Sequence, residues 1–186
     1  MRAWKLIVGT ALAAVALAGC LGPGTHAVTP TLMNNTAKPG LWHTFGGSGC
    51  YWERLRGLSG GPADIIANGF SLGGPRYVEV KDADAGFLTE RCLPWVQADG
   101  PFDHVIGADA TSGRWNDGDY RVGTDIMAGT YQAAASPDCY WERLSGFGGE
   151  PSDVIANDLG TGGMVTIAPT DVGFSTNRCG GWTKTS

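Results

Sequence analysis

Apolar positions along this chain fall into two regimes. From Leu6 to Gly19 they form one uncharged run of 14 residues. Further on they come in short runs that alternate or carry β-branched and aromatic residues, with Gly and Asp clusters between them. Cys50–Leu55, Arg76–Val80, Cys139–Leu144 and Met164–Ile167 are such runs, and a period of two places alternate side chains on opposite faces of a strand. Turn signals recur at about the 8–12-residue spacing of sandwich or barrel modules. Only Pro62–Asn68 and Pro151–Asn157 have helix-like character, Pro then Asp then Ile-Ile-Ala or Val-Ile-Ala, enough for one short turn. The predicted fold class is all-β.

The pattern also repeats. Cys50-Tyr51-Trp52-Glu53-Arg54-Leu55 returns as Cys139-Tyr140-Trp141-Glu142-Arg143-Leu144, an offset of 89. The match runs on through Gly57/Gly146, Pro62/Pro151, Asp64/Asp153 and Asn68/Asn157. After a two-residue deletion the offset becomes 87 and carries Val78/Val165, Asp84/Asp171, Phe87/Phe174, Cys92/Cys179 and Trp95/Trp182. Two tandem copies of one small module are therefore predicted, over 40–95 and 118–186, joined by a polar linker, 96–117. Residues 20–39, rich in Gly, Pro, Thr and Asn, read as a flexible tether.

The first apolar run is too short for a spanning helix, which needs roughly 20 residues to cross about 30 Å. With Arg2 and Lys5 before it, residues 1–19 read as an export signal. The run ends Leu17-Ala18-Gly19-Cys20, which resembles a bacterial lipobox. That resemblance implies cleavage before Cys20 and acylation of its thiol, palmitate among the acyl chains. Cysteine parity agrees. Five cysteines in an exported chain leave one over, and lipid on Cys20 leaves Cys50, Cys92, Cys139 and Cys179 to pair. Of the three connectivities open to them, Cys50–Cys92 and Cys139–Cys179 within each copy are the most economical. A module near 60 residues is marginal alone. A closed loop of about 43 residues is worth about 4 kcal/mol on the chain-entropy model.

Charge and composition narrow the classes. There are 13 basic and 18 acidic side chains, a net charge of −5 that becomes −7 once residues 1–19 are removed. Such a surface disfavours nucleic acid and does not adhere to anionic lipid, so an anchor must hold the protein. The expected location is the outer face of the cytoplasmic membrane.

Within a strand from Cys50, the side chains of Cys50, Trp52 and Arg54 share a face, and Tyr51, Glu53 and Leu55 the other. Trp52, Arg54, Trp141 and Arg143 then admit two readings. One is a binding platform, with rings for sugars and guanidinium groups for carboxylate or phosphate. The other, which we favour, is a core Trp on a disulfide and an Arg paired with Asp64 or Asp84 and their counterparts. Gly57-Leu58-Ser59-Gly60-Gly61 matches the G-x-S-x-G of hydrolase elbows, but the second copy has Gly148 for Ser59 and no α/β alternation surrounds it. Asp82-Ala-Asp84-Ala-Gly86 hints at a calcium loop, yet its twelfth position is Leu93. Asp117 and Asp119 suit a solvated turn, and His26, His43 and His104 have no zinc spacing. No enzyme, metal or cofactor is expected.

Gly118-Asp-Tyr120-Arg-Val122-Gly123-Thr-Asp125-Ile126-Met-Ala-Gly129-Thr130-Tyr131, before Cys139–Leu144 and the ending Cys179-Gly180-Gly181-Trp182, resembles a known pattern. It is found in small exported proteins and lipoproteins of Gram-positive bacteria, especially actinobacteria, and of their phages. The likeness covers 118–182 well and 40–95 partly, because no Tyr-x-Val-Gly segment stands upstream of Gly40. It implies an exported β-fold and no defined activity. The expected function is a non-enzymatic envelope lipoprotein that binds a cell-wall glycan or an envelope protein. The alternative is a phage-encoded lipoprotein acting in superinfection exclusion.

Overall fold

A computed structural model describes residues 20–31, 35–98, 113–134 and 136–186. The expected export signal, 1–19, and the middle of the expected linker lie outside them.

Each copy folds into two small antiparallel sheets. In the first, β1 (Gly24–Ala27), β6 (Gly86–Glu90), β3 (Cys50–Leu55) and β4 (Ile65–Ser71) lie side by side in that order. Opposite them run β5 (Arg76–Val80), β2 (Gly40–Thr44) and β7 (Val96–Gln97). The second copy has β9 (Gly118–Arg121), β14 (Gly173–Asn177), β11 (Cys139–Leu144) and β12 (Val154–Gly160) in one sheet. Its other sheet orders β13 (Met164–Ile167), β10 (Gly129–Ala133), β15 (Trp182–Lys184) and β8 (Arg114–Trp115). The chain is all-β and the repeat is structural.

The apolar faces of each pair of sheets close on one core. Trp42, Trp52, Val78, Phe87 and Trp95 fill the first, and Trp115, Tyr120, Tyr131, Phe174 and Trp182 the second. Cys50–Cys92 and Cys139–Cys179 are disulfides, each bridging Cα atoms 4.3 Å apart. Several buried aromatic rings have their polar atoms hydrogen-bonded, as burial favours. The Trp95 and Trp182 indoles donate to Thr89 and Thr176 hydroxyls, and the Trp42 indole and Tyr131 hydroxyl donate to carbonyls four residues back.

Three expectations are made more precise or revised, and the first, one short turn in each helix-like segment, is met. The helix-like segments each form a single 3-10 turn, Pro62–Asp64 and Pro151–Asp153, and their β-branched residues then enter β4 and β12. Proline supplies the fixed φ that starts the turn, and Ile65, Ile66 and Val154 suit extended backbone.

The second, the tether, is a correction. Most of the described residues of this segment, 20–31 and 35–39, are folded against the first copy, which begins at Leu21 rather than at 40. Leu21 is buried and exchanges both backbone hydrogen bonds with Trp95, as its counterpart Trp115 pairs with Trp182. β1 runs against β6 just as β9 runs against β14. His26 takes the place of Tyr120: each donates to the carbonyl four residues earlier, Gly22 and Asn116. So although no Tyr-x-Val-Gly segment stands upstream of Gly40, the equivalent strand is there, with His26 for Tyr120.

Third, both ends of the expected linker belong to the modules. Val96–Gln97 pairs with β2, and Trp115 is a core residue of the second copy.

Candidate functional site

The sheet edges β4 and β5 leave the side of the first sandwich open, and Trp52 and Arg54 floor that opening. The second copy fills it. Its loop from Ser145 to Pro151 and the outward face of its β9–β14–β11 sheet press against the opening, enclosing a cleft of about 470 Å³. The two copies are thus joined side to face.

Contacts across this junction are specific. Arg54 lies buried, with Nε and Nη2 donating to the two Asp84 oxygens at 2.7 and 2.8 Å. Its Nη1 donates across the junction to the Gly148 carbonyl at 2.7 Å and to Glu150 at 3.3 Å. Lys81 pairs with the same Glu150 carboxylate. Arg76 donates to Asp119 at 2.7 Å, and Asp119 also accepts from the Tyr77 amide. Phe147 packs on Tyr77 with ring centres 5.3 Å apart, and the Arg121 guanidinium lies over the Tyr77 ring, 5.1 Å from its centre. The Glu79 amide donates to the Phe147 carbonyl. A basic socket therefore receives an acidic plug.

The electrostatics follow from these partners. The Lys81 ammonium holds the Glu150 carboxyl below its ordinary range, with Arg54 adding to it. Glu150 in turn raises Lys81. In the second copy, burial pushes Asp171 up, but hydrogen bonds from Arg143 and the Ala168 amide outweigh it and leave it low.

The same opening in the second copy, between the edges β12 and β13, is floored by Trp141 and Arg143. There nothing covers it among the described residues. Arg143 repeats the two-pronged grip on Asp171 at 2.7 and 2.9 Å, yet its side chain is 24% exposed against 2% for Arg54. Its Nη1 has no partner among the described residues. Trp141 is half-buried, stacked at 6.1 Å on Phe174.

The arrangement treats the two copies of the repeated Trp and Arg differently. Trp52 and Arg54 are buried, with the second module against them. Arg54 and Arg143 pair with Asp84 and Asp171, not with Asp64 or Asp153. Trp141 and Arg143 remain reachable from solvent. The other sequence candidates are taken up locally. Ser59 donates its hydroxyl to Asp64 in an exposed loop. Asp84 of the calcium-like loop is spent on Arg54 and the Lys81 amide. Asp117 caps the backbone at Cys179, and Asp119 belongs to the junction. His26 and His43 are buried, and His104 lies outside the described residues.

Sequence reasoning missed Arg76, Tyr77, Lys81, Phe147 and Glu150, and it placed Asp119 in a solvated turn although this residue is buried in the junction. It weighed positions that the copies share, whereas these are positions at which they differ. Tyr77 corresponds to Met164, Lys81 to Ala168, Arg76 to Gly163, and Glu150 to Gly61. Divergence at fixed register was the signal that could have found them.

No curated protein and no solved structure matches the chain. A family model does, over residues 21–96 and again over 109–183, in agreement with two modules whose first begins at Leu21. The chain belongs to the family of Rv1352-like extracellular domains, carries two copies of that domain, and is an exported, extracytoplasmic protein.

Proposed function

We propose that the protein is a non-enzymatic binding module of the cell envelope, held to the outer face of the cytoplasmic membrane by lipid on Cys20. The observation that carries the anchor is the place of this cysteine. It is the one free cysteine, and it directly precedes Leu21, the first core residue of the first module. Cleavage before Cys20 would leave the whole folded body intact and put the acyl chains at its edge. Two or more chains anchor stably where one does not. Because Leu21 is already in the core, no spacer separates body from bilayer, and the first module would rest against the headgroups.

A binding role is supported by the open side of the second module. An aromatic ring and an unspent guanidinium nitrogen face solvent there, at the place where the first module receives its neighbour. The repeated Asp84 and Asp171, by contrast, are consumed in ion pairs that hold the fold.

Labelling cells with radioactive palmitate and separating membrane from medium tests the anchor. Wild type should carry label and sediment with membranes, and Cys20→Ala should be unlabelled and released. Retention of Cys20→Ala on the membrane would overturn the anchor.

A further inference from the structure

We propose that the open side of the second module receives the first module of another copy of this chain, so that the protein associates head to tail. This deepens the binding role proposed above by naming its partner. The template is the junction inside the chain. There a socket (Trp52, Arg54, Tyr77, Lys81) takes a plug (Phe147, Gly148, Gly149, Glu150). Each module owns both halves by descent, and the internal junction uses one socket and one plug. The plug of the first module and the socket of the second are left over.

The leftover plug keeps the shape of the used one. Both loops end in the same Pro-x-Asp turn, and Gly60 has φ +78° where Gly149 has +75°. A Cβ on Gly149 would meet the Trp52 ring at 2.4 Å, whereas one on Gly60 would meet nothing within 4 Å. The plug is built, and its seat is empty. Leu58, in the place of Phe147, is 56% exposed, and Met164, in the place of Tyr77, is 66% exposed.

The leftover halves also match each other. Two charge pairs of the internal junction are neutral on both sides of the second one, and the third, Arg54–Glu150, becomes Arg143–Gly61, where Arg143 keeps Asp171 as its partner. Lys81–Glu150 becomes Ala168–Gly61, and Arg76–Asp119 becomes Gly163–Thr25. The aromatic pair Tyr77–Phe147 becomes the aliphatic pair Met164–Leu58. Docking would therefore bury no lone charge from these pairs, which is the costly outcome when only one partner is lost. The free Nη1 of Arg143 would donate to the Ser59 carbonyl, as Arg54 does to Gly148. Plug and socket are different surfaces, so the contact is heterologous and does not close at a dimer. Confinement on a membrane by the proposed anchor would raise the effective concentration of such a contact.

The exported chain carrying Cys20→Ala, which needs no anchor to be studied, gives the test by sedimentation equilibrium up to about 1 mM. Its weight-average mass should rise above that of one chain with concentration. Leu58→Glu spoils the plug and Met164→Glu the socket, and each alone should leave monomers. Mixed, the two variants should form dimers and nothing larger, because each supplies the half that the other lacks. That recovery also demonstrates that both variants are folded. A strictly monomeric parent, association that survives either substitution, or a mixture that stays monomeric would overturn the proposal. A monomer whose binding to isolated cell wall is lost on Trp141→Ala would overturn self-association and leave the proposed function standing.

Discussion

Gly149 lies flat against the indole of Trp52, so close that a methyl group at 149 would sit 2.4 Å from Cη2. Its counterpart Gly60 shares the left-handed backbone, but a methyl group there would meet nothing within 4 Å. One glycine answers two demands and the other only one. Gly60→Ala should cost about 1–2 kcal/mol for the left-handed conformation. Gly149→Ala adds overpacking of about 1–3 kcal/mol. Urea unfolding of the two variants checks this, and equal costs would mean that the two modules do not touch at Trp52.

Arg54 and Arg143 hold equivalent aspartates in unequal surroundings. Arg54→Ala leaves Asp84 buried without its partner and removes a donor to Gly148, a loss of about 3–5 kcal/mol. Arg143→Ala opens Asp171 to water through an already uncovered side and should cost about 1.5–3 kcal/mol. Chemical denaturation of both variants distinguishes them, and the larger loss must fall on Arg54.

Residues 21–39 are part of the first module. Leu21→Ala creates a cavity against Trp95 and should destabilise by about 2–5 kcal/mol. Deleting 21–39 removes β1 and Leu21 together and should abolish the cooperative unfolding of the first module. A deletion variant with wild-type near-ultraviolet dichroism and unchanged melting would show that the segment is a tether after all.

Acid should weaken both the junction and the second module. Glu150 titrates below its ordinary value because Lys81 and Arg54 favour its charged form. A depressed carboxyl contributes stability that is complete above the unfolded value, near pH 4.3, and is lost as pH falls through the lower folded value. Asp171 behaves in the same sense. Thermal stability should therefore be flat above about pH 5 and decline below pH 4. Glu150→Gln should flatten part of that decline, and an unaltered acid profile would exclude this ion pair as a contributor.

Much of the architecture was legible because it is local or repeated. Alternation in Cys50–Leu55 and Cys139–Leu144 marked strands, and the recurrence of six residues in register marked two modules. β1 was not legible. Gly-Thr-His-Ala is four residues long with one β-branched side chain, Thr25, too little to mark a strand, and it is one because β6 offers a ladder beside it. The repeated Trp and Arg were recognised as important, yet their roles diverge. Trp52 and Trp141 stand in the same hexapeptide, and one is sealed while the other is half open.

What depends on nearest neighbours and on descent can be read along the chain: export, strands, the repeat, and enough cysteines for a staple in each copy. Only the tertiary structure decided how the modules meet and where the first one begins. Burial of Trp52 and Arg54 depends on a loop some 95 residues away, through the Arg54–Gly148 hydrogen bond. A contact of that separation leaves no period in the chain, and its charges at Lys81 and Glu150 lie outside the repeated motif. Packing and desolvation across space chose which copy of an identical motif would be structural and which would remain exposed.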